Sequence, residues 1–183
     1  MSDLIYVAED EAAAGGGFGA PVTVFSQSLN TDSGGGYGGY SIRQPISAIA
    51  AGGDQIRVTF EAPSVGSLYI DNASVGIKAP SGNAWDTVAV PVELLFAASS
   101  GVTITAGNST ASDWLDFVFA NTDDLVVVHD LGSSSSRRRR RTIPSGIVEY
   151  EKAAANSYNV AAPSTYSAKV VTAITLIQAR SSL

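Results

Sequence analysis

A chain of 183 residues, 45% apolar and only 15% charged, is long enough to fill one core of ordinary size. Its formal net charge of −6 argues against a general nucleic-acid binder, and the absence of cysteine excludes disulfides and thiolate chemistry. Met1-Ser2-Asp3 lacks a basic leader and no apolar run reaches membrane-spanning length, so neither a secretion signal nor membrane insertion is expected.

The residue types favour strands. Gly occurs 18 times and Ser, Thr, Ala and Val abound, whereas helix formers are scarce, with one Met and three Lys. Leu4–Ala8 is a candidate short strand, followed by Glu9-Asp10-Glu11 and the flexible Gly15-Gly16-Gly17. Pro21–Ser26 alternates weakly as a strand, and Asn30–Gly39 is a Gly/Ser loop with Tyr37 and Tyr40 set among glycines. Residues 1–40 therefore form a flexible Gly-rich arm with one or two short strands, and residues 41–183 form the main domain.

In that domain Gln55–Glu61 gives the clearest signal. Ile56, Val58 and Phe60 fall on one face, and Gln55, Arg57, Thr59 and Glu61 on the other. Ser67–Ile70, Ala73–Lys78, Pro91–Phe96, Gly101–Thr105, Asp113–Phe119 and Asp124–His129 follow as strands, the last apolar on both faces and so central in its sheet. Trp114 is expected in the core. Ile143–Glu151, Ser157–Val160 and Lys169–Arg180 close the domain. Eight to ten short strands with long connections such as Ala79–Val90 predict an all-β, jelly-roll or Greek-key β-sandwich.

Ser133–Ser136 and then Arg137, Arg138, Arg139, Arg140 and Arg141 interrupt this pattern. Five adjacent guanidiniums repel one another, so residues 133–141 are expected as an exposed loop or hairpin tip. Taking their five charges from a net −6 leaves −11 on the rest of the chain. The run is thus a candidate contact for polyanions or for acidic surface, with Asp123-Asp124 and Glu9-Asp10-Glu11 of a neighbouring subunit as targets.

Chemistry is sparse. His129 is the one histidine, and alternation sends its neighbour Asp130 to the opposite face, so the two make no dyad. No Gly-x-Ser-x-Gly elbow precedes it, and zinc lacks its usual ligands. Asp71-Asn72, Asp113/Asp116 and Asp123-Asp124 could offer oxygens to calcium, but turn formation explains them better. No catalytic, cofactor or metal site is expected. Trp85, in the loop Ser81–Asp86, joins Tyr37 and Tyr40 as candidate contacts for a partner or a glycan, the alternative being that they fold back onto the sandwich rim.

Residues 54–130 and 150–160 resemble a jelly-roll domain of structural proteins from tailed bacteriophages. The resemblance rests on the order of Ile56–Phe60, Ile70–Gly76, Thr87–Phe96, Gly101–Ile104, Ser112–Phe117, Leu125–Val128 and Lys152–Asn159. The Ile70-Asp71-Asn72 turn is also similar to turns of jelly-roll carbohydrate-binding modules. The resemblance implies a non-catalytic virion component, such as a capsid decoration, head-fibre or tail-associated subunit. Such a protein would be made in the host cytoplasm, form homo-oligomers and contact other virion proteins, with host surface polysaccharide as the alternative ligand. The Ser/Arg insert falls outside the pattern.

Overall fold

Every regular element among the described residues is a strand. The computed structural model describes residues 17–29, 31–32, 37–132, 139–140, 149–153, 157–169 and 173–183. The expected strand Leu4–Ala8 lies outside them, as do Arg137, Arg138 and Arg141.

One antiparallel sheet is built from β1 (Val22–Ser26), β14 (Ile174–Arg180) and β4 (Gly53–Glu61), with β8 (Ser109–Ala111) and β9 (Leu115–Phe119) both pairing the far side of β4. The second runs in the order β13 (Ser167–Lys169), β12 (Glu149–Ala153), β3 (Tyr40–Ile46), β10 (Leu125–Leu131), β5 (Leu68–Ile77), β6 (Val92–Leu94), with β7 (Val102–Ile104) also on β5. The chain crosses between the sheets from β3 to β4, β4 to β5, β7 to β8, β9 to β10 and β13 to β14, consistent with a jelly-roll or Greek-key sandwich. A separate pair joins β2 (Thr31–Asp32) to β11 (Arg139–Arg140).

The period-two pattern explains the core. Ile56, Val58 and Phe60 of β4, with Val24, Ile174 and Ile177, face Ile42, Ile70, Val75, Leu125 and Val127 of the second sheet. Val24 is 2% exposed and β1 is hydrogen-bonded to β14, so this part of residues 1–40 belongs to the sandwich. Phe18 bridges Ser182, and the Leu183 N–H donates to the Gly17 carbonyl at 2.9 Å, bringing the first described residue beside the last.

Several local readings need correction. Residues 70–72 are no turn: Leu68–Ile77 is one continuous ten-residue strand. Its pairing with β10 slips by one between Ile70 and Asn72, leaving Asp71 as an inserted residue, a β-bulge. Ser157–Val160 is a turn and not a strand, because its backbone is engaged by side chains described below. Trp114 is not in the core. It sits half-buried on the outer face of the first sheet, with the Arg57 and Arg180 guanidiniums 4.6 and 4.5 Å from its ring centroid.

Ala97 and Ala98 adopt φ of 50° and 61° between the bridged residues Phe96 and Ser99, a two-residue turn that usually requires Asn-Gly. The Asp113 carboxylate holds it, accepting the N–H groups of Ala97 at 3.1 Å and Ala98 at 2.8 Å. Ala97→Asn with Ala98→Gly is expected to raise stability by about 1 kcal/mol, and Asp113→Ala to lower it by a similar amount. Urea denaturation of the three chains checks both signs.

Candidate functional site

The outer face of the seven-stranded sheet carries a cluster of buried, hydrogen-bonded polar groups, among them Ser41, Arg43, Ser74, Asp130 and Ser157. β10 alternates two ways. Leu125, Val127 and Leu131 enter the core and His129 packs 5.5 Å from the Phe60 ring, while Val126, Val128 and Asp130 face outward yet remain buried. Cross-strand register puts Arg43 and Ser74 beside Val128, and Ser41 beside Asp130. A second layer, made of residues 157–166 and the loop through Trp85, covers this outer face.

Arg43 fastens that layer. Its side chain is fully buried, and its guanidinium donates to the carbonyls of Trp85 at 3.0 Å and Ser157 at 2.7 Å, and also to that of Val160. Asp130 answers from the neighbouring strand, accepting the N–H groups of Ser157 and Tyr158, each at 3.1 Å. Between them the Tyr166 hydroxyl donates to Ser41 at 2.9 Å, the Ser41 and Ser157 hydroxyls lie 2.8 Å apart, and Ser74 donates to the Tyr158 carbonyl. Burial lowers the Arg43 pKa from its ordinary value against the opposing pull of Tyr166, Asp130 and Asp86.

Burial likewise raises the Asp130 carboxyl above 3.8, outweighing its hydrogen bonds from Ser41, Tyr158 and Ser157 and the Arg43 charge. Between 3.8 and that raised value the folded state binds more protons than the unfolded chain. Asp130 therefore makes stability fall as pH rises through this window, and its contribution is flat above it. Asp130→Asn keeps one oxygen to accept both N–H groups and cannot titrate. The stability of the parent minus that of the variant is expected to decrease across the window, read by urea titrations from about pH 3.5 to 7.

Trp85 belongs to the same layer. Its ring packs 4.7 Å from Tyr150 and 5.7 Å from Tyr166, and its indole N–H donates to the Pro163 carbonyl at 3.4 Å. Tyr37 and Tyr40 make an edge-to-face pair at 5.7 Å against the core rim, far along the chain from Trp85. The structure thus places the three aromatic candidates folded back on the sandwich, in two separate groups. Of the arginine run, Arg139 and Arg140 lie in β11, in register with Asp32 and Thr31 of the same chain. The Asp32 carboxylate accepts from the backbone and hydroxyl of Ser64.

Of the acidic pairs, Asp113/Asp116 and Asp123-Asp124 serve as local ties. Asp116 accepts from Gln55, Asp123 from the Ala120 N–H at 2.8 Å, and Asp124 lies 3.8 Å from Lys78. No group of three or more His, Asp or Glu among the described residues could hold a metal ion. On the inner face, Gln44, Glu149 and Glu151 are buried in the same cross-strand rows as Val127 and His129.

A separate cleft of about 420 Å³ opens where β5, β7 and the end of β10 meet, lined by Tyr69, Asp71, Thr103, Gly101 and Gly132 with the backbone of Ile70 and Val102. Ile70 and Ala73 both enter the core although three positions apart, so the bulge turns Asp71 and Asn72 together to the outer side. Tyr69 and Thr103 are cross-strand partners on that side. Sequence reasoning missed Arg43, Asp130, Ser157 and Tyr166 as a unit, and missed this cleft; the one available signal was a charged residue in each of two strand-like runs. No family model matches the chain, and no curated protein matches it.

Proposed function

We propose that the chain is a non-catalytic structural accessory subunit of a tailed-bacteriophage particle, working as a homo-oligomer in contact with other virion proteins. The order of strand segments that resembles phage jelly-roll proteins supports this reading. The observation that carries it is an apolar sheet edge. Val88, Val90 and Val92 are 64%, 61% and 42% exposed; Val92 opens the three-residue strand β6 at the end of its sheet and the other two precede it. Three exposed β-branched residues next to an unpaired strand edge are costly on a free monomer and suit a contact between subunits.

Sedimentation of the parent and of the Val88→Glu/Val90→Glu variant tests the reading. The parent is expected to self-associate and the variant to lose that association while melting like the parent. A parent that stays monomeric at every concentration, and that mass spectrometry fails to find in intact particles, overturns it. The alternative of a carbohydrate-binding module for host-surface glycans is favoured by one observation, the polar cleft beside Asp71.

A further inference from the structure

We propose that the cleft between β5, β7 and the end of β10 is a binding site for a neutral saccharide, held through a vicinal diol by Asp71 and Thr103 against the Tyr69 side chain. The inference rests on the carbohydrate-binding alternative above, for which it names the ligand class and the residues, and uses none of Tyr37, Tyr40 or Trp85.

Its shape is built into the backbone. A Cβ added at Gly101 would stand 2.6 Å from the Ile70 carbonyl oxygen and 2.8 Å from that of Asp71. One added at Gly132 would stand 2.8 Å from Asp71 Oδ1. Any side chain at Gly101 would therefore strike the β5 backbone, and one at Gly132 would press on the carboxylate itself. The resulting volume of about 420 Å³ lies within the range of small-molecule sites, about 300–1,000 Å³.

The chemistry of the lining narrows the ligand. Asp71 is exposed, and its carboxylate has no hydrogen bond or ion pair among the described residues, in a protein whose other described carboxylates on strands and turns are largely tied to N–H or amide groups. The Thr103 hydroxyl is equally uncommitted. The one charge is negative, which disfavours an anionic ligand. The side chains of Ile70 and Val102 turn to the core, so no apolar floor is offered to a greasy ligand. A cation would meet a single exposed carboxylate without a second acid or an aromatic cage, which makes a weak ion pair. Adjacent sugar hydroxyls fit best: both donate to a carboxylate, one of them also accepts from the threonine hydroxyl, and the apolar side of a pyranose ring lies well against tyrosine.

The test is saturation-transfer NMR and calorimetry on the full chain with neutral oligomers of glucose, mannose, galactose and N-acetylglucosamine. At least one is expected to bind, with affinity falling tenfold or more in Asp71→Ala and in Gly132→Val, and clearly in Thr103→Val. Trp85→Phe is expected to bind like the parent. Asp71→Ala should melt with the parent, since this carboxylate holds nothing else in place. Silence across all four series, binding that survives Asp71→Ala, or Asp71-dependent binding confined to lysine- or arginine-rich peptides each overturns the proposal. Sedimentation of the same samples reads the assembly role independently, so failure of one leaves the other standing or falling on its own.

Discussion

Replacing Arg43 with methionine is expected to cost about 3–5 kcal/mol of folding stability, a large share of what a domain of this size possesses. The guanidinium is fully buried and donates to three backbone carbonyls of the covering layer, at Trp85, Ser157 and Val160. Methionine fills similar space but leaves those carbonyls without donors, and leaves Asp130, 3% exposed, buried without its counter-charge. Arg43→Lys keeps the charge and loses the planar fork that serves several acceptors at once, so it should fall between parent and Arg43→Met. Urea denaturation gives the loss, and the emission of Trp85, followed in a Trp114→Phe background, shows whether the layer departs first. A loss below about 1 kcal/mol would mean that the aromatic packing of Trp85, Tyr150 and Tyr166 holds the layer without Arg43.

Phe60→Ala is expected to cost about 3–5 kcal/mol by a different route. Phe60 is fully buried near the C-terminal end of β4, with ring contacts to Phe96 at 5.8 Å and His129 at 5.5 Å, so it joins the first sheet to both the β6 side and the middle of the second. Truncation opens a cavity between two sheets whose strands are held by hydrogen bonds and cannot collapse into it. Val118→Ala, on a side chain 72% exposed, is the matched control and should change stability by no more than about 0.5 kcal/mol. Thermal unfolding of the two variants beside the parent decides it: near-equal melting temperatures would contradict a core centred on Phe60.

What the sequence revealed followed from where side-chain period and burial agree. Ile56, Val58 and Phe60 alternate with polar residues because one face of β4 meets the core and the other meets solvent, and that strand is legible at sight. The expected strand Asp124–His129 was legible as central because both faces of β10 are covered. β3 was not. Its seven residues include Arg43, Gln44 and Pro45, types that argue against a central strand, yet it lies between β12 and β10. Arg43 is tolerated there only because a second layer of chain supplies its acceptors, a circumstance no local pattern encodes. Trp114 misled for the converse reason: a large aromatic flanked by acids reads as core, whereas two arginines far apart in the chain, Arg57 and Arg180, form its bed from adjacent strands. Asp71 was read as a turn residue because Ile-Asp-Asn is turn-like in composition, and the bulge that makes it part of a strand depends on the register of β10.

The pairing of β1 with β14 has a mechanical consequence. β1 and β14 are antiparallel, with Val22 opposite Ala179 and Ser26 opposite Leu176, and Phe18 bridges Ser182 beyond them. A pulling force applied at Gly17 and Leu183 therefore acts across the hydrogen bonds at one end of this pair and loads them one after another, as a zipper is opened. Each such bond contributes only about 0.5–1.5 kcal/mol net, so peeling starts at low force. A chain held at Gly17 and Leu183 would yield at β1 first and keep the rest of the sandwich, including the Arg43 layer, intact under tension.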